Sequence, residues 1–518
     1  MTSAEDLIRR IVADAGEVDV PAENVEEIDH RLTRYTRNDL GNARRLLDRF
    51  GDDLIWVDNI GWYAWTGTCW SAEEGPRMAQ RAAHRTAMKC YSEAKAVELA
   101  GPKDGETPKD FSGRVESYRT FAKSSGNSGK LAGMLNEARP YRSKTVDDLD
   151  GDPVVFNVRN GTLVFDARTA QQRAEVGADA DDRVAFRPHR REDLITHVAA
   201  VDYDPEAECP TFHAFLASAV PMAEERVYIQ RWLGYCLTGL QRDQKVTCFT
   251  GGGSNGKSTL VETIEALMGD YAMRLPFESL QRDDHRSGSQ ATPDLVNLPG
   301  RRFVIAAEPE TNTILSTSII KKLTERTEMM VRALNQNFFT FTPQHHVTLM
   351  YNDPPVVKAQ DDGTWRRITV VQWRRKFIDE HERELHPDAP LKDYGLTEKL
   401  LGELPGILNW LLDGLRLYLD QGLDPPETIK EATAQYRADN DPVGAFMRVA
   451  LMPMANAVIQ GKTLYDAYAK WCEQSGLPTW SIAAFGRQAK RSLKAETKGV
   501  VRYLDVTFKP EFREVIDL

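Results

Sequence analysis

Between residues 245 and 371, short apolar runs alternate with longer stretches of helical period. The runs Lys245-Val246-Thr247-Cys248-Phe249-Thr250, Phe303-Val304-Ile305-Ala306-Ala307, Val347-Thr348-Leu349-Met350-Tyr351 and Ile368-Thr369-Val370-Val371 lack polar alternation and read as buried parallel strands. After the first run, Leu260, Ile264, Leu267 and Met268 fall on one helical face, and Gly269 supplies a stop. Met329–Phe341 reads as a hairpin with the polar tip Asn335-Gln336-Asn337. Glu398–Leu419 reads as one helix, with Leu400, Leu401, Leu404, Ile407, Leu408 and Leu411 on or near one side. Strands alternating with helices predict an α/β core with a parallel sheet.

The flanks differ. Residues 1–45 read as charged helices, and Asp53–Val57 as a strand. Gly61–Trp70 reads as a turn-rich aromatic hairpin, whose tryptophans suit a small core better than a base-stacking platform. Residues 76–140 read as helices broken at Gly101–Thr107. A hairpin is expected around Asn160-Gly161, a charged loop over Ala174–Asp193, and a helix over Glu224–Leu240. Near the far end, Thr463–Gln474 and Ser481–Lys494 are amphipathic and Val500–Phe508 alternates, the order of a winged helix. Three domains are therefore expected: an α+β domain over 1–203, a P-loop α/β core over 204–430 and a winged-helix-like domain over 431–518.

Composition narrows the partners. The 518-residue chain is 41% hydrophobic and 28% charged, ordinary for a globular protein. No apolar run approaches the length of a membrane span. The acidic opening Met1-Thr2-Ser3-Ala4-Glu5-Asp6 lacks a signal-peptide pattern, so a cytoplasmic protein is expected. Cys69, Cys90, Cys209, Cys236, Cys248 and Cys472 form no C-x-x-C and read as reduced thiols. A net charge of −11 argues against wholesale wrapping of nucleic acid, but leaves room for a local basic surface such as a channel lining.

The chemistry begins after the first strand. Gly251-Gly252-Gly253-Ser254-Asn255-Gly256-Lys257-Ser258-Thr259 satisfies G-x-x-x-x-G-K-[ST] between a strand and a helix. Glycines let backbone N–H groups turn toward phosphate oxygens. Lys257 reaches the β- and γ-phosphates, and the Ser258 hydroxyl suits Mg²⁺. An acid at the end of a neighbouring strand must then hold the metal and orient water. Glu308, 51 residues past Lys257, fits, with Glu310 a second candidate. Asn352, at the end of the third strand, can sense a γ-phosphate without adding charge. Arg366-Arg367 precede the fourth strand, and an arginine supplied across a subunit boundary stabilises a transferring phosphoryl group.

At these residues the chain resembles the superfamily-3 helicases, most closely the phage/plasmid primase–helicase family with a poxvirus-type N-terminal domain. The ordered set runs from Thr36–Ala43 through Asn160–Leu163, Cys209–Phe212, Leu233–Gly239, the P-loop, Glu308, Lys322–Thr324, Arg332, Asn352 and Arg366-Arg367 to Asn440–Val443 and Leu464–Cys472. The resemblance implies an AAA+-like core and a ring, usually hexameric, with ATP between subunits. It implies a channel hairpin gripping single-stranded DNA, 3′-to-5′ translocation on forked DNA and an acting cofactor pair of ATP and Mg²⁺. It makes Glu308 the Walker B acid, Asn352 the sensor and Arg366 or Arg367 the trans finger. Three departures stand out. Glu325-Arg326-Thr327 replaces the usual Gly-Gly-Asp, the hairpin tip is not basic, and a single acid follows Ala306-Ala307. DNA contact then falls to Arg332 and the tip, and to Arg487, Lys490, Arg491 and Lys494 near the end of the chain.

Three other readings compete. One is an ATP-switched origin-binding or repressor protein acting through the basic winged helix. Another is an AAA+ ATPase that remodels protein or packages DNA. The third is a primase–helicase. Its metal-binding D-x-D would have to come from Asp148-Leu149-Asp150 or Asp179-Ala180-Asp181, both in acidic, loop-like stretches. A separately encoded primase or initiator is a further expected partner.

Overall fold

The computed structural model describes residues 30–168, 170–175, 183–281, 293–309, 313–332, 338–358, 360–477 and 479–515. Contacts divide the chain into two compact units, Met1–Thr66 with Trp70–Thr145, and Gly67–Cys69 with Val146–Leu518.

In the first unit, α1 (Asp39–Phe50) starts where the Asn38 side chain accepts from the Gly41 N–H, leaving fewer orphan donors at the helix start. Strands β1 (Leu54–Val57), β2 (Gly61–Trp65) and β3 (Trp70–Ser71) form the expected aromatic ribbon. Helices α2 (Gly75–Leu99), α3 (Pro108–Ser125) and α4 (Ser128–Ala138) follow. Strand β4 (Ser143–Lys144) then completes a sheet of order β3-β2-β1-β4. Trp56 and Trp62 meet edge to face at 5.5 Å, and Trp62 and Trp70 are buried, so those rings serve the core. A buried ion pair joins α1 to α2: Arg45 Nε donates to Glu93 at 2.8 Å, both side chains fully buried.

The second unit opens with β5 (Val155–Val158) and β6 (Gly161–Phe165), the Asn160-Gly161 hairpin. Helix α5 (Ala170–Glu175) runs into the start of the stretch expected as a charged loop, and strand β7 (Val184–Arg187) lies within it. β7 pairs with β6, its exposed outer side chains having hidden the strand pattern. Residues 156–201, expected in the N-terminal domain, share one apolar core with the P-loop helix: Phe156, Leu163, Ala199 and Val201 are buried with Leu260 and Ile264.

Helices α6 (Pro210–Ala219) and α7 (Ala223–Tyr235) lead to β8 (Val246–Thr250), α8 (Lys257–Met268), β9 (Ala272–Arg274) and β10 (Phe303–Ala307). Next come α9 (Thr317–Thr324), the antiparallel pair β11 (Met329–Val331) and β12 (Phe339–Phe341), then β13 (His346–Tyr351), α10 (Asp362–Trp365) and β14 (Ile368–Gln372). The main sheet has order β14-β8-β13-β10-β9, with every pairing parallel. Its strands are buried on both faces, which explains their continuous apolar sequences. On one side Trp232 of α7 donates from Nε1 to Thr348 Oγ1 at 2.9 Å.

The long helix expected over Glu398–Leu419 is two, α11 (Leu396–Gly402) and α12 (Leu404–Gln421). Pro405 in the first turn of α12 has no N–H to continue α11. The intervening Glu403 carboxylate instead accepts from the Thr211 and Phe212 N–H groups at 3.0 and 2.9 Å, capping α6.

Helix α13 (Glu427–Asp439) ends at Asn440, whose Oδ1 accepts from the Val357 N–H at 2.7 Å. Then follow α14 (Pro442–Ala450), β15 (Leu451–Gln460), α15 (Gly461–Gln474), α16 (Ile482–Ser492), β16 (Ala495–Lys498), β17 (Val500–Phe508) and α17 (Pro510–Val515). The sheet order is β15-β17-β16. Strand β15 was not expected: Pro453 and a register shift between Pro453 and Val458 break its alternation. Phe446, Leu464, Tyr468, Phe485 and Tyr503 form this module's own core. Among the described residues, no helix is long and apolar enough to cross a membrane. Five of the six free thiols are buried, and Cys69 is half-buried.

Candidate functional site

Because all five strands run parallel, their C-terminal ends share one edge, outside which open α/β sheets bind ligands. Three of the expected residue sets stand on that edge. The P-loop follows β8, Asn352 follows β13 directly beside it, and Glu308 follows β10 one strand further on. Two strand spacings, about 10 Å, separate the lines of β8 and β10.

The loop's shape depends on two glycines. Gly256 caps α8 with φ +86°, and a Cβ there would press on the Phe215 ring at 2.9 Å. A Cβ on Gly251 would strike the Trp373 carbonyl. That carbonyl accepts from Asn255 Nδ2 at 3.4 Å, and the Phe377 N–H donates to the Ser254 carbonyl at 2.6 Å. The segment after β14 therefore clamps the loop, which sequence reasoning did not anticipate. Ser254 sits at φ +48° and Gly253 at +84°, while Gly252 and Ser254 remain exposed. Ser258 and Thr259 occupy the first turn of α8, where N–H groups lack intrahelical acceptors.

Lys257 joins two of the expected parts. Its Nζ donates to the Gly251 carbonyl at 2.7 Å and to Asn352 Oδ1 at 3.1 Å. Burial pulls its ammonium below the ordinary lysine pKa, and among the described residues no carboxylate pairs with it. A buried cation held only by neutral oxygens leaves its charge for an anion to balance. The residues thus fit a nucleotide phosphate.

Glu308 is exposed, and its backbone takes φ +58°, a left-handed conformation costly for a non-glycine residue. Its N–H is tied to the Met350 carbonyl at 3.1 Å. Nearby, the hydrogen bond to Glu265 holds the Arg274 guanidinium above its usual pKa, and the charge of Glu308 adds to that. Glu310 lies outside the described residues. Next to the loop, Phe215, Gly256, Thr259, Phe377 and Leu396 line a largely apolar cavity of about 390 Å³.

The two arginines part company. Arg366 is exposed. Arg367 is 4% exposed, and its guanidinium is spent within its own chain. It donates to Thr324 Oγ1 (3.1 Å), the Gly363 carbonyl (2.5 Å), Gln244 Oε1 (3.0 Å) and Glu325 Oε1 (2.9 Å). A finger needs free donors at another subunit's phosphate, so Arg367 is corrected from finger candidate to internal strut, and Arg366 remains. Both precede β14, whose Ile368 pairs with Val246 and whose Gln372 pairs with Thr250. Arg366 is therefore at the opposite end of the sheet from its own P-loop, about 20 Å along the strand direction.

Of the expected DNA contacts, Arg332 follows β11 and stacks its guanidinium 4.7 Å over the Phe338 ring. Asn335, Gln336 and Asn337 lie outside the described residues. Arg487, Lys490 and Arg491 are exposed on α16, and Lys494 is 3.5 Å from Asp505. Of the D-x-D acids, Asp179 and Asp181 lie outside the described residues, and Asp150 is buried. It accepts from the Thr196 N–H and hydroxyl and lies 3.5 Å from His197.

In comparison with known proteins, residues 43–221 match the model of the family described as D5 N terminal like. A helicase-named protein of Acanthamoeba polyphaga mimivirus, L207/L206, is 28% identical over 70% of this chain and 38% of its own length. A primase-named protein of African swine fever virus, C962R, is 23% identical over 65% of this chain and 35% of its own length. The chain thus spans little more than a third of these relatives. The solved apo structure of the NrS-1 C-terminal region aligns with 63% of this chain and 93% of its own, at 12% identity and a TM-score of 0.35. A D5 N-terminal-like domain and kinship with viral proteins named helicase or primase accord with the resemblance read from the sequence.

Proposed function

We propose that this chain is an ATP-driven DNA helicase for replication of a phage, plasmid or integrated mobile element. It acts as a ring, with the AAA+-like core as its motor. The ring is hexameric and translocates 3′ to 5′ on single-stranded DNA. The observation that carries the reading is the placement of Arg366. It is exposed at one end of the sheet while the Lys257–Asn352 pair sits at the other, which supports a nucleotide site shared between neighbouring subunits.

The residue roles follow from position. The backbone of Gly251–Gly256 and the Lys257 ammonium hold phosphates, and the apolar cavity beside Phe215 and Phe377 receives the base. Ser258 and Glu308 would hold Mg²⁺, which would supply neutralisation of phosphate charge. Glu308 also accepts the proton of the attacking water, and Asn352 fixes that water without adding charge. Lys257 Nζ is already aligned with Asn352, so the γ-phosphate end is organised before substrate arrives. Arg366 completes the pocket of the next subunit. The β11–β12 hairpin, through Arg332, grips one DNA strand. A separate primase or initiator would act with the ring.

Purified protein should hydrolyse ATP and unwind a tailed fork. Lys257→Ala should depress both by about 100-fold or more. Unwinding that survives this change removes the P-loop from the mechanism. Hydrolysis without unwinding of either 3′- or 5′-tailed duplex removes the helicase reading. That outcome favours the second reading, an origin-binding protein, which the exposed basic face of α16 supports.

A further inference from the structure

Where the resembling family carries Gly-Gly-Asp, this chain has Glu325-Arg326-Thr327, one residue short of the hairpin strand β11. The two charged side chains are both engaged. Glu325 Oε1 accepts from Arg367 at 2.9 Å, and Arg326 Nε donates to the Gln241 carbonyl. The approach to the hairpin is thus built from ion pairing and hydrogen bonding in place of a flexible glycine pair.

The partner of Glu325 is not a passive anchor. Arg367 is adjacent to Arg366, and the Arg366 carbonyl accepts from Lys245 Nζ at 2.6 Å. Its guanidinium ties together the end of α9 at Thr324, the carbonyl of Gly363 in α10, and Gln244 just before the P-loop strand. Thr324 in turn donates to the Ile320 carbonyl at 2.8 Å. A second tie runs parallel: Lys321 Nζ meets Asp361 Oδ1 at 3.0 Å, and Asp361 caps α10. The Arg366–Arg367 peptide and the base of the hairpin are therefore two ends of one short network.

Within that network Glu325 holds a distinct place. It is the carboxylate that meets the buried Arg367 charge, the other three acceptors being neutral oxygens. Its side chain is 35% exposed, so its removal opens no internal cavity. Three hydrogen bonds would keep Arg367 in place, one of them to Thr324 at the end of α9, but the hairpin approach at Glu325 would lose its own tie to it. A shift of Arg366 would then leave the hairpin behind.

We propose that Glu325 is a positioning residue that couples Arg366, at the neighbouring subunit's nucleotide, to the DNA hairpin, an inference that rests on the ring-helicase reading. Glu325 touches neither nucleotide nor DNA. It acts through Arg367, and its effect belongs to the exchange between hydrolysis and strand movement.

The test measures three quantities on the full chain: ATPase without DNA, ATPase with single-stranded DNA, and base pairs opened per ATP on a tailed fork. Glu325→Ala should leave the DNA-free rate within about twofold of wild type. It should lower DNA stimulation and base pairs per ATP by about tenfold, with Glu325→Gln intermediate. Equal losses in DNA-free and DNA-stimulated rates would mark a structural role only and overturn the proposal. So would base pairs per ATP unchanged in both variants. If Glu325→Ala does not fold, Glu325→Gln decides by the same two criteria. A wild-type ATPase that ignores DNA would instead overturn the helicase reading, and this inference with it.

Discussion

Arg366 and Arg367 are neighbours in sequence and opposites in the structure. One is exposed at the head of β14, while the other is buried among four acceptors. Arg366→Ala should abolish turnover while leaving the urea unfolding midpoint in place, and mixing it with Lys257→Ala subunits should restore part of the activity. Arg367→Ala should lower unfolding free energy by about 2–4 kcal/mol, read from the same urea titration, because it strands buried acceptors and Glu325. The nine P-loop residues were legible because phosphate chemistry fixes residue types at fixed spacing. The clamp on that loop was not. Trp373 and Phe377 hold it through a backbone carbonyl and a backbone N–H, which impose no side-chain signature. Nor could a pair of adjacent arginines reveal which one faces inward.

Among elements, four of the five main-sheet strands were read correctly because burial on both faces gives unbroken apolar runs, while the short edge strand β9 was missed. Strands with an exposed face were lost: β7 within a charged stretch, and β15 across a proline and a register shift. The break between α11 and α12 was masked because leucines continue through it, although Pro405 marks it in the sequence, and the Glu403 carboxylate at the break turns to cap α6. The C-terminal module places α16 before the β16–β17 hairpin, which turns at Gly499 with φ +73°. If α16 meets phosphates, reversing Arg487, Lys490 and Arg491 to glutamate should weaken duplex binding. It should also lower the slope of log affinity against log salt by about 2–3, measured by fluorescence anisotropy. A slope unchanged by all three reversals would leave that face merely solvated.

For the whole molecule, the α/β core with its parallel sheet was foreseeable, whereas the assignment of residues 146–203 was not. Those residues contribute to the same apolar core as α8 through contacts distant in sequence, which no local pattern encodes. The second unit also carries an acid-sensitive centre. Burial pushes the His345 and His346 rings down to about 4 and about 3, against about 6.5 in an unfolded chain. The folded state thus binds fewer protons than the unfolded state below about pH 6.5. Stability is full above that pH and is lost as pH falls toward the folded values, by up to about 1.4 kcal/mol per pH unit for each histidine. The thermal midpoint should therefore drop between pH 7 and pH 5, and His346→Asn should flatten that drop.

Strand β14 begins beside Arg366 and ends in the segment that clamps Ser254 and Asn255. In the proposed ring its two ends serve different nucleotides, one belonging to its own subunit and one to the next. Five residues span about 17 Å, and hydrogen bonding to β8 along that length leaves no slack. Nucleotide turnover in one pocket would be mechanically legible in the adjacent one. The ring would fire in a fixed rotational order because timing is passed along a single rigid strand.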